Sequence, residues 1–388
     1  PVLFIYKTMN EGHVGSQSFF KLHAGTLTHG ADLINTTHKA SERINQIHVL
    51  NGKDRVSMDT LSPGDLGALV KLKHTHTCDT LVGGKLDATL PPIEFHGANI
   101  HFALRSKGKG DEDKIAAGLS ALHEEDPTFI YRVDGDLHQT VISGQGELHL
   151  TVVCKRLEER YHVEIELSEP RVPLREAITI PAESKYRHKK QSGGAGQFAE
   201  VWIRIEPRER DSGVEFIESL VGQNVSRSFV PSVRKGVEQA CRDGIIAGYG
   251  VVDVKIDFYD GKEHPVDSKD VAFQTAGKHA FREAFKAAKP CLLEPIMHVE
   301  IMVPEEFMGA VMGDLNSRRG KIQGMDADGA FQVVKAHVPQ MDLYKYSTNL
   351  RSLTEGRGLH TEALSHYENM PHDMEQKVIA SNQSNGEE

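Results

Sequence analysis

Short apolar runs broken by glycine dominate the first ninety residues. VLFIYKTM, SQSFFKLHAGTL, ADLINTT, RINQIHVL and GALVKL are punctuated by Gly12, Gly15, Gly25, Gly30, Asn51-Gly52 and Pro63-Gly64. Such runs between turn formers predict strands, and several at this spacing predict a small β-barrel. Leu90-Pro91-Pro92 closes the region and the pattern changes. NIHFALRS reads as a strand, and in DEDKIAAGLSALHEED the residues Ile115, Leu119 and Leu122 form a helical stripe. TFIYRV and HQTVISG predict two strands across Asp134-Gly135, GELHLTVVCKRLEERY a helix and HVEIEL a closing strand. The order is β-α-β-β-α-β.

The same order returns near the C-terminus. PIMHVEIMVP predicts a strand, and PEEFMGAVMGDLNSRRG a helix opened by Pro304. GKIQGMDA and GAFQVVKAHVP are strands, DLYKYSTNLRSLTEGRG a helix stopped by Gly356 and Gly358, and HTEALSHYENM a last strand. Two split β-α-β units therefore flank a middle segment. In that segment FAEVWIRIEP, with Phe198, Val201, Ile203 and Ile205, predicts a strand, and VPSVRKGVEQACRDG a helix. VVDVKIDFYDG predicts a strand with Asp253 and Asp257 on its wet face, and the long helix DSKDVAFQTAGKHAFREAFKAAK is expected to be capped by Asp267 or Ser268. Four domains follow: 1–90, 91–168, 169–291 and 292–388.

Composition narrows the class. A chain of 388 residues with 39% hydrophobic and 26% charged residues is ordinary globular protein, too long for one core. No apolar run approaches the roughly 18 residues of a membrane span, so no membrane partner is expected. Cys78, Cys154, Cys241 and Cys291 show no CxxC pair, which fits buried thiols and a reducing, cytoplasmic setting. The chain opens at Pro1 directly on a strand, as expected of a piece of a longer protein.

Charge adds a candidate site. Against a formal net charge of -10, KYRHKKQSGGAGQF (Lys185 to Phe198) reverses the local sign. Its glycines and cations cannot form a core, so the stretch faces solvent or a polyanion. Lys185, Arg187, Lys189 and Lys190 suit phosphates; Gln191, Ser192 and Gln197 suit sugars or unpaired bases; Gly193, Gly194, Ala195 and Gly196 allow close backbone approach. A dinucleotide fingerprint is excluded, because a strand rather than a helix follows the glycines. No GxxxxGK[ST], HExxH or GxSxG occurs. Glu124-Glu125-Asp126 at a helix end reads as solvated charge. Arg318, Arg319 and Lys321 form a basic patch at a helix C-terminus, which steadies the helix dipole or binds phosphate. In SGQGELHL, Gly144 and Gly146 turn the chain into a helix with Glu147 in its first turn.

Taken in order, VGSQSFFKLHAGTL, PGDLGALVKL, EEDPTF, SGQGELHL, HKKQSGGAGQF, GYGVVDVKIDFYDG, HPVDSKDVAF, LLEPIM, GDLNSRRG and YSTNLRSLTEGRG resemble translation elongation factor G from within its second domain to its C-terminus. The resemblance implies a multidomain α+β fold: a translation-protein β-barrel (domain II), then ferredoxin-like domains III and V flanking a ribosomal-protein-S5-like domain IV. It implies that Gln191 to Gln197 form one tip loop of domain IV, and His264, Asp267 and Ser268 a second, both facing the tRNA–mRNA duplex on the ribosome, with Lys189 and Lys190 among the RNA-binding residues. Arg318 and Arg319 would face large-subunit RNA, and Gly144, Gly146 and Glu147 would lie in domain III, which couples the GTPase domain to the rest. A monomeric, cytoplasmic translocation factor is implied whose GTP and Mg2+ belong to a GTPase domain outside these residues; no cofactor and no catalysis are expected here. Ala195 stands where the family usually has Arg, and SLVGQNVSRSFVP departs from the usual turn, which points to a divergent paralogue. Rival readings are a ribosomal protection protein that displaces tetracycline and an enzyme acting on RNA.

Overall fold

The computed structural model describes residues 1–388 except 12–14, 53, 85, 136, 191–195 and 386–388. The first region holds β1 (Val2–Glu11), β2 (Gly15–Ala24), β3 (Leu27–Thr28), β4 (Asp32–Asn35), β5 (Ala40–Arg43), β6 (Ile47–Asn51), β7 (Asp54–Met58), β8 (Thr60–Leu61), β9 (Leu66–Val70) and β10 (Thr80–Gly83). Eight of these follow the order β5-β4-β10-β1-β2-β9-β6-β7, and β3 pairs with β8. Leu3, Ile5, Phe20, Leu22, Leu33, Leu69 and Leu81 fill its core. The expected barrel is corrected in one respect: among the described residues the sheet does not close. At one end every residue of β7 is exposed. At the other, the chain beside β5 is held through the buried Glu42 carboxylate, which accepts from Lys73 N, His74 N and Thr75 Oγ1.

The next region comprises β11 (Ile100–Ser106), α1 (Glu112–Glu125), β12 (Ile130–Asp134), β13 (Gln139–Gly144), α2 (Glu147–Tyr161) and β14 (Ile165–Ser168). Its antiparallel sheet has the order β12-β13-β11-β14, the ferredoxin-like arrangement. The predicted stripe Ile115, Leu119 and Leu122 is buried against Leu150, Val153 and Leu157 of α2. The carboxylates ending α1 are not simply solvated. Glu125 accepts from Asn10 N and Arg160, Glu124 meets His76 Nδ1 at 2.8 Å, and Asp126 bonds Thr128 and His149. Neighbouring elements bring donors that the local sequence does not reveal.

The third region contains β15 (Arg175–Ile178), β16 (Ala182–Lys190), β17 (Gln197–Pro207), β18 (Val214–Glu218), α3 (Val230–Asp243), β19 (Val254–Lys262) and α4 (Asp270–Ala287). The sheet order is β16-β17-β19-β18, with β18 parallel to β19. Val201, Ile203, Ile205, Ile256 and Phe258 point to one face, where Val237, Phe273, Phe281 and Phe285 of α3 and α4 complete the core. The helices meet closely at Gly236, where a Cβ would lie 2.0 Å from the Gln274 carbonyl oxygen. Asp253 precedes β19 and is buried, contrary to the wet-face expectation. It adopts φ 56° and accepts from Gly213 N.

The last region has β20 (Pro290–Pro304), α5 (Met308–Ser317), β21 (Lys321–Asp328), β22 (Phe331–Pro339), α6 (Tyr346–Leu353), β23 (Leu359–Asn369) and α7 (His372–Asn385). The strands run β21-β22-β20-β23, again ferredoxin-like, and β15 adds to β20. Arg175 pairs with Leu293 and Ile178 with Pro290. Next in β15, Glu176 is wholly buried, yet its carboxylate is satisfied by four backbone donors. Ile245 N and Ile246 N reach Oε2 at 2.7 and 3.0 Å, and Ala247 N and Tyr249 N reach Oε1 at 2.9 and 3.1 Å. α7, absent from the sequence expectation, sets Met374, Val378 and Ile379 against Leu174 and Leu292. The chain divides into two compact units, 1–171 with 344–361, and 172–343 with 362–388. Cys154 and Cys241 are buried, and burial pushes their thiols up to about 11 and about 12; Cys78 and Cys291 are half-buried.

Candidate nucleic-acid interface

β16 and β17 form a long hairpin in which Lys190 pairs with Gln197 and Lys189 with Phe198. Gln191, Ser192, Gly193, Gly194 and Ala195 lie outside the described residues. The base of that loop is fastened to the segment before α4. Phe198 N donates to Asp267 O at 3.0 Å, and Ser268 Oγ donates to Phe198 O at 2.9 Å while accepting from His264 N at 2.8 Å. A Cβ on Gly196 would lie 2.9 Å from the Asp267 carboxyl carbon, so a larger residue there would push the Asp267 side chain aside. The expectation that Asp267 or Ser268 caps α4 is therefore not met. The cap is Lys269, without a side-chain bond, because the Ser268 hydroxyl is spent on the junction.

The junction encloses a cavity of about 200 Å³ lined by Lys189, Lys190, Gly196, Gln197, Phe198, His264 and Asp267. His264 Nδ1 accepts from Asp267 N at 3.2 Å, an arrangement that leaves Nε2 as the ring's donor. The His264 side chain is half exposed and its ring sits 6.1 Å from that of Phe198. Two lysines, the His264 imidazole, the Phe198 ring and the Asp267 carboxylate thus line one open cavity, in which the lysines suit phosphate oxygens and the carboxylate suits a sugar hydroxyl.

Further along the hairpin, the Arg187 guanidinium bonds the Glu200 carboxylate, which also accepts from Trp202 Nε1 at 3.1 Å. Burial alone would raise the Glu200 pKa; the bonds from Arg187 and Trp202 and the charges of Arg187 and Lys262 outweigh it and hold the carboxyl below its usual value. Glu200 stays ionised and fixes Arg187 in place.

The other predicted residues are placed differently. Arg319 donates to both oxygens of buried Glu294 at 2.6 and 2.9 Å and to Asp342 at 2.7 Å, and Arg318 bonds Asp314 and the Asp342 carbonyl. This pair ties β20, the end of α5 and the turn after β22 together, so its charge is committed within the fold. Gly146 lies against Arg351, whose Nη2 donates to Gln145 O at 2.9 Å; Glu147 meets Lys345 at 3.6 Å. Gly144 accommodates His149 and Leu150. Sequence reasoning missed Trp202, whose alternation with Val201 and Ile203 marks it as facing away from the core.

Comparison with known proteins accords with this layout. The family models elongation factor G domain 2, domain III, domain IV and C-terminus match residues 2–84, 97–169, 170–289 and 291–378 in that order. The crystal structure of a protein from Thermus thermophilus superposes with a TM-score of 0.86 at 33% identity, covering 99% of this chain and 58% of that one. The chain thus spans a little over half the length of that relative. No helix among the described residues is long and apolar enough to cross a membrane. Through four successive domains the chain belongs to the elongation factor G family of translation factors.

Proposed function

We propose that this chain is the ribosome-engaging part of a translocation factor, and that the tip built from Lys189, Lys190, Gly196 to Phe198 and His264 to Ser268 enters the decoding site and biases tRNA–mRNA movement. The observation that carries the reading is the fastening of the two tip segments. Phe198 bonds Asp267 and Ser268 across the junction, so Gly196 to Phe198 and His264 to Ser268 are held together beside Lys189 and Lys190. Rigid presentation is what a device that works by occupying a site requires. The chain itself carries out no chemistry and works as a monomer in the cytoplasm. Free energy comes from GTP hydrolysis in a domain that this sequence does not contain. No GxxxxGK[ST] phosphate-cradling stretch occurs in this sequence.

Ribosome binding measured against salt tests this. Lys189→Ala with Lys190→Ala should weaken binding and flatten the log–log salt slope by about 1.4 to 1.8 units, the counterions of two phosphate contacts. An unchanged slope sinks the tip reading. In the parent protein, movement of tRNA without release of tetracycline separates translocation from ribosomal protection.

A further inference from the structure

The tip lies at one end of a sheet whose second face, among the described residues, is not the one on which the helices pack. α3 and α4 pack on the side of Val201, Ile203 and Ile205. Opposite them, alternate residues of β16 put Lys185, Arg187 and Lys189 in an exposed row, in register with Trp202, Glu200 and Phe198 of β17. Residues two apart on a strand repeat at about 6.6–6.8 Å, of the order of one nucleotide in an extended strand. The Trp202 ring is held by its bond to Glu200 and by the Tyr259 ring at 6.2 Å, and the Lys185 ammonium sits 5.0 Å from its centroid. The Lys185 side chain that covers this ring face is itself exposed, so the face is shielded only by a long, solvent-borne side chain.

We propose that the outer face of β16 and β17 is a track for single-stranded RNA, with phosphates on Lys185, Arg187 and Lys189 and bases stacked on Trp202 and Phe198. This rests on the reading of the tip as RNA-facing and extends it down the hairpin. Three cations face one carboxylate, Glu200, which Arg187 already neutralises, so the row is net positive in a net acidic chain. An arriving base replaces the Lys185 ammonium over Trp202, and the freed lysine turns to the adjoining phosphate. Only unstacked bases offer a face to the ring, which selects single strands over duplex. Past Lys185 the face becomes neutral, as Glu183 meets Arg204 at 3.7 Å and Glu206 meets Lys255 at 3.3 Å, and the track ends there.

Trp202 is the only tryptophan, so it reports on its own site. With the whole chain and labelled decauridylate, binding should quench Trp202 emission with a salt slope of about −1.4, the two contacts of Lys185 and Lys189 on a single strand, because Glu200 already neutralises Arg187. Lys185→Ala, which leaves every tip residue in place, should lower that slope by about 0.7. Trp202→Ala, followed by anisotropy of the RNA, should weaken binding about 5- to 150-fold. Unquenched emission on binding, equal affinity for a ten-base-pair duplex, or an unaltered slope in Lys185→Ala each overturns the track and leaves the tip untouched. Conversely, quenching in wild type together with unaltered ribosome binding of the Lys189→Ala, Lys190→Ala variant overturns the tip and keeps the track.

Discussion

Replacing Glu176 with Gln should destabilise the second compact unit severely while changing almost no volume. The carboxylate lies fully buried and receives four backbone N–H bonds, two at each oxygen. An amide presents an NH2 where two of those donors point, so two bonds are lost and donors oppose donors. Hydrogen bonds to a charged group contribute about 1.5–3 kcal/mol each. Losing two, while the other two persist as weaker neutral bonds, costs about 3–6 kcal/mol, a large share of a typical domain's about 5–15 kcal/mol. With a urea m-value of about 2 kcal/mol/M, the midpoint should fall by about 2 M. Urea titration followed by Trp202 emission isolates this unit, since no other tryptophan contributes. The exposed Glu206→Gln, which loses only a contact to Lys255 at 3.3 Å, should stay within about 0.5 kcal/mol of wild type. A shift below about 0.5 M for Glu176→Gln would refute the view that this carboxylate organises residues 245–249.

Arg319→Ala should cost about 3–5 kcal/mol by stranding the buried Glu294 carboxylate, and Arg319→Lys should recover only part, since an ammonium cannot match both oxygens; thermal melting checks this, and a neutral effect would return Arg319 to the pool of partner-facing cations. His337 should make the last sheet acid-sensitive. Burial and then the neighbouring His366 and His298, with rings at 5.3 and 5.6 Å, lower its pKa from 6.5; Glu368 opposes them and Lys321 adds to them. Because the folded state resists the proton, the stability it contributes is complete above about pH 6.5 and is lost as pH falls through its lower folded value. The unfolding midpoint of His337→Gln should therefore fall less than wild type between about pH 7 and about pH 5, and parallel curves would count against the ladder.

Periodicity exposed most of the scaffold because burial in these domains is one-sided. Ile115, Leu119 and Leu122 recur at helical spacing and all are buried; Val201, Ile203 and Ile205 alternate and all are buried. α7 was hidden because its apolar contribution is small, Met374, Val378 and Ile379 in an otherwise polar stretch, and its partner Leu174 is far away in sequence. The paired arginines show a different limit. Arg318-Arg319 looks the same whether it faces a phosphate or a carboxylate, and the deciding residues, Glu294 and Asp342, lie more than twenty positions away. Asp253 misled for a related reason. A left-handed backbone before β19 turns it inward, which two-residue alternation cannot foresee. Of the tip, the sequence indicated both segments through its glycines and cations; the bonds from Phe198 to Asp267 and Ser268 are long-range and required coordinates.

The pairing of β15 with β20 has a topological consequence. Ile178 and Pro290 face each other as the chain leaves for the tip domain and comes back from it. Everything between them is a cassette spliced into a hairpin whose two stems are already zipped together. Closing such a hairpin demands little loop entropy, but the cassette is not independent of its root. The buried Glu176 of the stem takes its four donors from residues 245–249 and pairs through its own backbone with Gly250 and Val252, so a shortened or replaced tip domain keeps a stable root only if it retains that returning segment.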